Sequence, residues 1–159
     1  MTIVSKALVG AMTLALLGTA AVPVQAGSAM VAQADTMMAP HGTMAKHSFI
    51  KAEAPVSGSF KIKKEGGKQV LVLSSDFKTN DMAPDLKVVL SPSTTPLASS
   101  KPPAYPLKPG TYTVLAPLKS AAGAQSYVIP ASIDLSKQGS VLIWCQKFNA
   151  TMAWAPLKP

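Results

Sequence analysis

The chain has 159 residues, 48% of them hydrophobic, and its 15 basic residues outnumber 7 acidic ones for a net charge of +8. Every basic residue is a lysine, so the bidentate guanidinium fork that specific nucleic-acid sites use is missing and no nucleic-acid partner is expected. A single cysteine excludes an internal disulfide and the paired-cysteine attachment of c-type haem.

Residues 1–26 read as an export signal. Lys6 supplies a short positive start, Ala7 to Val22 is an apolar run, and Val24-Gln25-Ala26 is a small-x-small cleavage site. Cleavage after Ala26 places the protein outside the cytoplasm: periplasmic, secreted or cell-surface. No cysteine follows the cut to carry a lipid, and no later stretch is long and apolar enough to span a bilayer. An exported lysine-only surface suits anionic lipid, wall polymer or an acidic partner, or is simply well solvated.

Residues 27–48 read as a flexible linker, without a sustained period of two or of 3.6. It carries Met30, Met37, Met38 and Met44 with both histidines, His41 and His47. Thioether and imidazole together suit copper, but no fixed ligand spacing supports a site.

From Phe49 to the C-terminus the pattern is that of one β domain, residues 49–159. Gly58 to Lys64 alternates apolar and polar residues, Glu65-Gly66-Gly67 signals a turn, and Val70 to Leu73 reads as a strand buried on both faces. Phe77 to Asp85 is a polar loop and Leu86 to Leu90 the next strand. Asp81 and Asp85, with Asn80, match no calcium-loop spacing, and local turn bonding accounts for them. Ser91 to Gly110 is a long loop carrying Pro92, Pro96, Pro102, Pro103, Pro106 and Pro109, too many prolines for a ladder; such loops are commonly functional or mobile. Strands resume at Tyr112–Leu115 and Gln125–Ile129. Ser132 to Gln138 suggests one helical turn capped by Ser132.

The densest β-type run is Val141-Leu142-Ile143-Trp144, leading into Cys145. With period two, Val141, Ile143, Cys145 and Lys147 share one face, and Leu142, Trp144, Gln146 and Phe148 the other. A last strand covers Thr151 to Ala155. About seven to eight short strands with turns between them indicate an antiparallel sandwich or barrel.

Catalytic sets are poorly supplied. Both histidines lie in the linker, away from any base position beside Cys145. No histidine lies between Cys145 and Met152, against a blue-copper site. A haem held by the Cys145 thiolate and a bare redox thiol are both chemically allowed, and copper ranks behind haem. Trp144 and Trp154 suit a cofactor wall or relay, or core packing. Asn149-Ala150-Thr151 fits a glycosylation acceptor.

Landmarks recur in order across Phe49 to Leu157: Ser57-Gly58, Phe77, Pro84-Asp85-Leu86, Leu90-Ser91, Tyr127-Val128-Ile129-Pro130, Ser140 to Cys145, Phe148-Asn149-Ala150-Thr151 and Ala155-Pro156-Leu157. In these the chain resembles the electron-transfer DM-thirteen domain, found in exported bacterial proteins and beside DOMON domains at animal cell surfaces. The resemblance implies a sandwich-like fold and an extracytoplasmic redox role at Cys145, as a bare thiol or as ligand to a group such as haem. Asp85 matches the family's aspartate before the central strand, and Pro84, Phe148 and Asn149 match its structural motif. Ala52 to Pro55 lacks the histidine that many members carry there. Ala83 stands in place of a common glycine, and Met152-Ala153 in place of an aromatic-glycine pair.

The expectation is an exported electron-transfer accessory with an unidentified redox partner, rather than a stand-alone enzyme. The alternative is a non-catalytic envelope-binding or structural module with a buried, inert cysteine.

Overall fold

The computed structural model describes residues 45–158. The export signal, most of the linker, and the candidate ligands His41, Met37, Met38 and Met44 lie outside the described residues.

Nine strands build two antiparallel sheets that face each other as an open sandwich. In chain order they are β1 (His47–Ser48), β2 (Ile50–Lys51), β3 (Ser59–Glu65), β4 (Lys68–Leu73), β5 (Leu86–Ser91), β6 (Thr113–Pro117), β7 (Gln125–Ile129), β8 (Ser140–Cys145) and β9 (Ala150–Pro156). One sheet has the order β1-β3-β4-β7 and the other β2-β9-β8-β5-β6. No helix among the described residues is long and apolar enough to cross a membrane.

Each strand follows from its pattern. The Gly66-Gly67 pair takes positive φ at both residues and pairs β3 with β4 from Glu65–Lys68 to Phe60–Leu73. Phe60, Leu71 and Leu73 turn inward with Tyr127 and Ile129 of β7, meeting Val88, Leu90, Val141, Ile143 and Cys145 from the second sheet. Burying these aliphatic and aromatic side chains is the main driving force of the fold, roughly 1.5–3 kcal/mol for each one fully buried. Gly58 opens β3 at φ +86°, and a Cβ there would stand 2.5 Å from the Phe77 backbone.

Three expectations change. The linker stops short of its expected end, because His47 and Ser48 pair with Phe60 and Ser59 and the His47 ring stacks on Phe60 at 4.9 Å. The turn near Ser132 is a single 3-10 turn, Leu135–Lys137, capped by Asp134, whose carboxylate accepts from Ser136 N at 3.0 Å. Val72 of β4 is only half buried although Val70 on the same face is buried, so that strand is closed on its outer face only in part.

The proline-rich segment after β5 is a cover packed on the outer face of the second sheet. Leu97, Leu107 and Tyr112 lie over Val89, Leu142 and Trp144. Its start is tied down by Ser140 Oγ donating to Ser93 O (2.8 Å) and Gly139 N to Ser91 O (2.7 Å).

Candidate functional site

β8 runs through the middle of its sheet, between β5 and β9, and all six of its residues are buried. Val141, Ile143 and Cys145 point between the sheets, whereas Leu142 and Trp144 point to the outer face under the proline-rich cover. The period-two assignment therefore holds to Cys145 and stops there. Gln146 to Phe148 form the turn into β9, so Phe148 shares no face with Trp144 and is 64% exposed, with the Lys147 ammonium 5.8 Å from its ring centroid.

Cys145 is 0% exposed. Its thiol donates to the backbone carbonyl of Pro84 at 2.7 Å. The turn that presents this carbonyl is fixed on both sides of the sulfur: Leu86 is the cross-strand partner of Cys145, and Gln146 N donates to Asp85 O at 3.1 Å. Asp85 sits at φ +59°, a left-handed conformation that aspartate tolerates better than most residues, and its carboxylate pairs with the Lys87 ammonium. Lys87 lies directly across from Trp144 on β8. Pro84 and Asp85 thus close the core over the thiol.

On the far side of the sheet, Asn149 joins three elements. It sits at φ +47°; its Oδ1 accepts from Trp144 Nε1 (3.0 Å) and from Leu107 N (2.9 Å), and its Nδ2 donates to Leu107 O (3.2 Å). The amide of the expected glycosylation acceptor is therefore engaged in holding the cover to the tryptophan. Thr151 continues the seam, donating through N to Ala104 O and through Oγ1 to Tyr105 O, both 2.8 Å. Trp144, Tyr112 and half-buried Trp154 form an aromatic group on this face, with Tyr112 and Trp144 centroids 5.0 Å apart. A β-bulge at Met152 lets both Met152 and Ala153 face the core.

The structure separates the expected cofactor residues. Cys145 faces the core, while Trp144 and Trp154 face the cover across the sheet. His47 lies on the other sheet, stacked on Phe60. No group of three or more His, Cys, Asp or Glu side chains gathers among the described residues, so Asp81, Asp85 and His47 build no metal site there. Asn80 serves its own loop, accepting from Met82 N at 3.0 Å.

These surroundings do not fit a haem at Cys145. A porphyrin iron needs an open face at the sulfur, and this sulfur is enclosed by aliphatic side chains and already bonded to Pro84. A cleft of about 600 Å³ is formed by segments 53–57 and 78–80 and does not reach Cys145. A smaller one of about 270 Å³, lined by residues between Ser91 and Thr111, touches neither Cys145 nor the tryptophans. The chemically reactive group of the site is the Cys145 thiol, which is closed off from solvent.

Two features escaped the sequence reading. The bridging role of Asn149 had a trace in its type, since asparagine is enriched at positive φ. Thr79, buried in the 600 Å³ cleft wall, left no signal in a polar loop.

Residues 48–157 match the family model described as "Electron transfer DM13". No curated protein and no solved structure matches the chain.

Proposed function

Because the chain belongs to the electron transfer DM13 family, we propose that it is an exported electron-transfer accessory whose redox group is the Cys145 thiol itself, shielded at rest by the Pro84–Asp85 turn. The observation that supports this is the only cysteine of the chain, held at the end of the central strand by one hydrogen bond to a loop carbonyl. Residues Asp81 and Met82 of that loop are exposed, the latter 84%, so local opening disturbs few buried contacts. Once open, the sulfur loses its proton to solvent and attacks a partner disulfide. One sulfur–sulfur bond forms to Cys145 as the partner's own breaks, and one partner thiolate leaves. With no second cysteine in the chain, the mixed disulfide is resolved by another thiol from outside.

The test is thiol reactivity. The expected result is that an aromatic disulfide labels one thiol per chain, slowly but faster than the whole domain unfolds, and that Cys145→Ser abolishes labelling. Serine can make the same bond to Pro84 O, so the variant keeps the fold. Protein from the export compartment and the variant are both expected to be colourless in visible light.

The same burial favours a second reading: an inert core thiol in a lysine-rich module that binds anionic envelope material. Labelling no faster than global unfolding, together with salt-sensitive retention on such material, would overturn the redox reading and leave this one.

A further inference from the structure

The two sheets differ in what lies on their outer faces. The second is closed by the proline-rich cover. The first, β1-β3-β4-β7, carries no such cover among the described residues: Lys61, Ser126 and Val128 are exposed and Val72 is half-buried. The pleat fixes which side chains share this face. Phe60, Leu71, Leu73, Tyr127 and Ile129 point into the core, so their neighbours along each strand point away from it.

Strand register sets these outward residues side by side. One row across the sheet is Lys61, Val72 and Ser126; the next is Lys63, Val70 and Val128; the hairpin ends the face with Glu65 beside Lys68. Neighbours in a row lie about 5 Å apart, and Lys61 and Lys63 about 7 Å apart along β3. Val128 is 56% exposed, whereas Val70, between it and Lys63, is buried. At the free edge of β7 the Lys119 ammonium donates to Ser126 O at 2.8 Å. Lysines thus stand along β3 and at the β7 edge, with valines between them.

The charge of this face is one-sided. Glu65 is the only carboxylate in the paired rows, and it is taken up by Lys63 at 3.2 Å. Lys61, Lys68 and Lys119 join no ion pair among the described residues. A depression of about 470 Å³ at the hairpin end continues the pattern, lined by Lys64, Lys68, Val128 and Pro130 and by no acidic residue.

From this arrangement we infer that the outer face of the β3-β4-β7 sheet docks on an anionic lipid bilayer. The ammonium groups meet the lipid phosphates, and Val128 reaches the apolar boundary beneath them. The exposed valine decides between partners. A soluble polyanion uses the lysines and gains nothing from an aliphatic side chain, whereas a bilayer interface takes both. The inference gives the anionic binding raised above a surface and a partner, and it holds whether or not Cys145 is redox-active.

The test is co-sedimentation of protein from the export compartment with vesicles. One set holds equal parts of phosphatidylglycerol and phosphatidylcholine, the other phosphatidylcholine alone, and soluble polyphosphate is the competing probe. Salt-sensitive binding to the anionic vesicles is expected, at least about ten-fold tighter than to the neutral ones. Lys61→Gln combined with Lys68→Gln should weaken it at least about ten-fold. Lys101→Gln combined with Lys108→Gln removes the same charge from the cover of the other sheet and should cost less than about three-fold. Val128→Ser should weaken vesicle binding at least about three-fold while leaving polyphosphate binding unchanged. These five side chains are exposed, so an unchanged urea midpoint is expected for each variant. Cys145→Ser should bind as wild type does, and thiol labelling reads the redox proposal separately, so either can fail alone. No binding to anionic vesicles, or equal losses from the two lysine pairs, would overturn the inference. Undiminished vesicle binding by Val128→Ser would overturn it in favour of a soluble polyanion.

Discussion

At the scale of single residues, Asn149 shows how one side chain can set both a turn and an interface. Its left-handed backbone is tolerated by asparagine, and its amide satisfies Trp144 Nε1 and both backbone groups of Leu107. Asn149→Ala leaves those groups unpaired and puts a Cβ without compensation at positive φ. The expected loss is about 2–4 kcal/mol in urea unfolding. Asn149→Gly relieves the backbone and keeps only the lost bonds, so it should be less destabilising than alanine. An alanine variant as stable as wild type would remove Asn149 from its bridging role. The contrast with Cys145 is instructive. Its single bond can be copied by a serine hydroxyl, so Cys145→Ser separates the proposed redox chemistry from folding in a way that no Asn149 variant can.

At the scale of elements, β8 and its cover act as one unit. β8 is buried on both faces only because segment 91–112 lies on Leu142 and Trp144. Leu107→Ala removes the centre of that cover. It should cost about 2–4 kcal/mol and shift the Trp144 fluorescence to the red as water reaches the indole. An unshifted spectrum would mean that the cover does not seal this face. Gly139→Ala tests the anchor of the same unit, since a Cβ there would sit 2.6 Å from Pro92 O and 2.6 Å from the Ser93 carbonyl carbon. Backbone must move to admit it, and destabilisation above about 2 kcal/mol is expected by chemical denaturation. These elements also mark what the sequence revealed. The long strands were legible because a side-chain period of two writes itself into residues such as Phe60, Ile62, Val141 and Ile143. β1 and β2 were not, because two residues carry no period. The cover was legible as a loop from its prolines, but its packing depends on Leu97, Leu107 and Tyr112 meeting residues distant in sequence. At the site, Cys145 and the face it shares with Val141 and Ile143 were legible. The enclosure of the thiol was not, since the Pro84 carbonyl is a backbone atom with no sequence signature, and nothing local told Thr79 from any loop threonine.

At the scale of the whole molecule, charge and pH act together. The Ser136 hydroxyl, then the Ser136 backbone N–H, holds the Asp134 carboxyl below its ordinary 3.8. The folded state therefore binds this proton less readily than the unfolded chain. Stability from this group is present above that value and is lost as pH falls through the lowered one. Burial raises the Tyr127 hydroxyl above its ordinary 10.0, so its contribution is present below that value and lost as pH rises through the raised one. The urea midpoint should fall at both ends. Asp134→Asn should flatten the acid limb and Tyr127→Phe the alkaline one; unchanged limbs would place the titration elsewhere. A further consequence lies in the dipeptide strands on either side of Phe49, which belong to different sheets. One short length of chain, His47 to Lys51, covers the outer side of both β3 and β9. Ser59 and Phe60 of β3 and Ala153 and Trp154 of β9 are thereby withheld from any second copy in search of a partner. Proteolytic clipping after Lys51 would bare these positions of both edges at once and favour strand exchange between copies, which light scattering of the clipped protein would register.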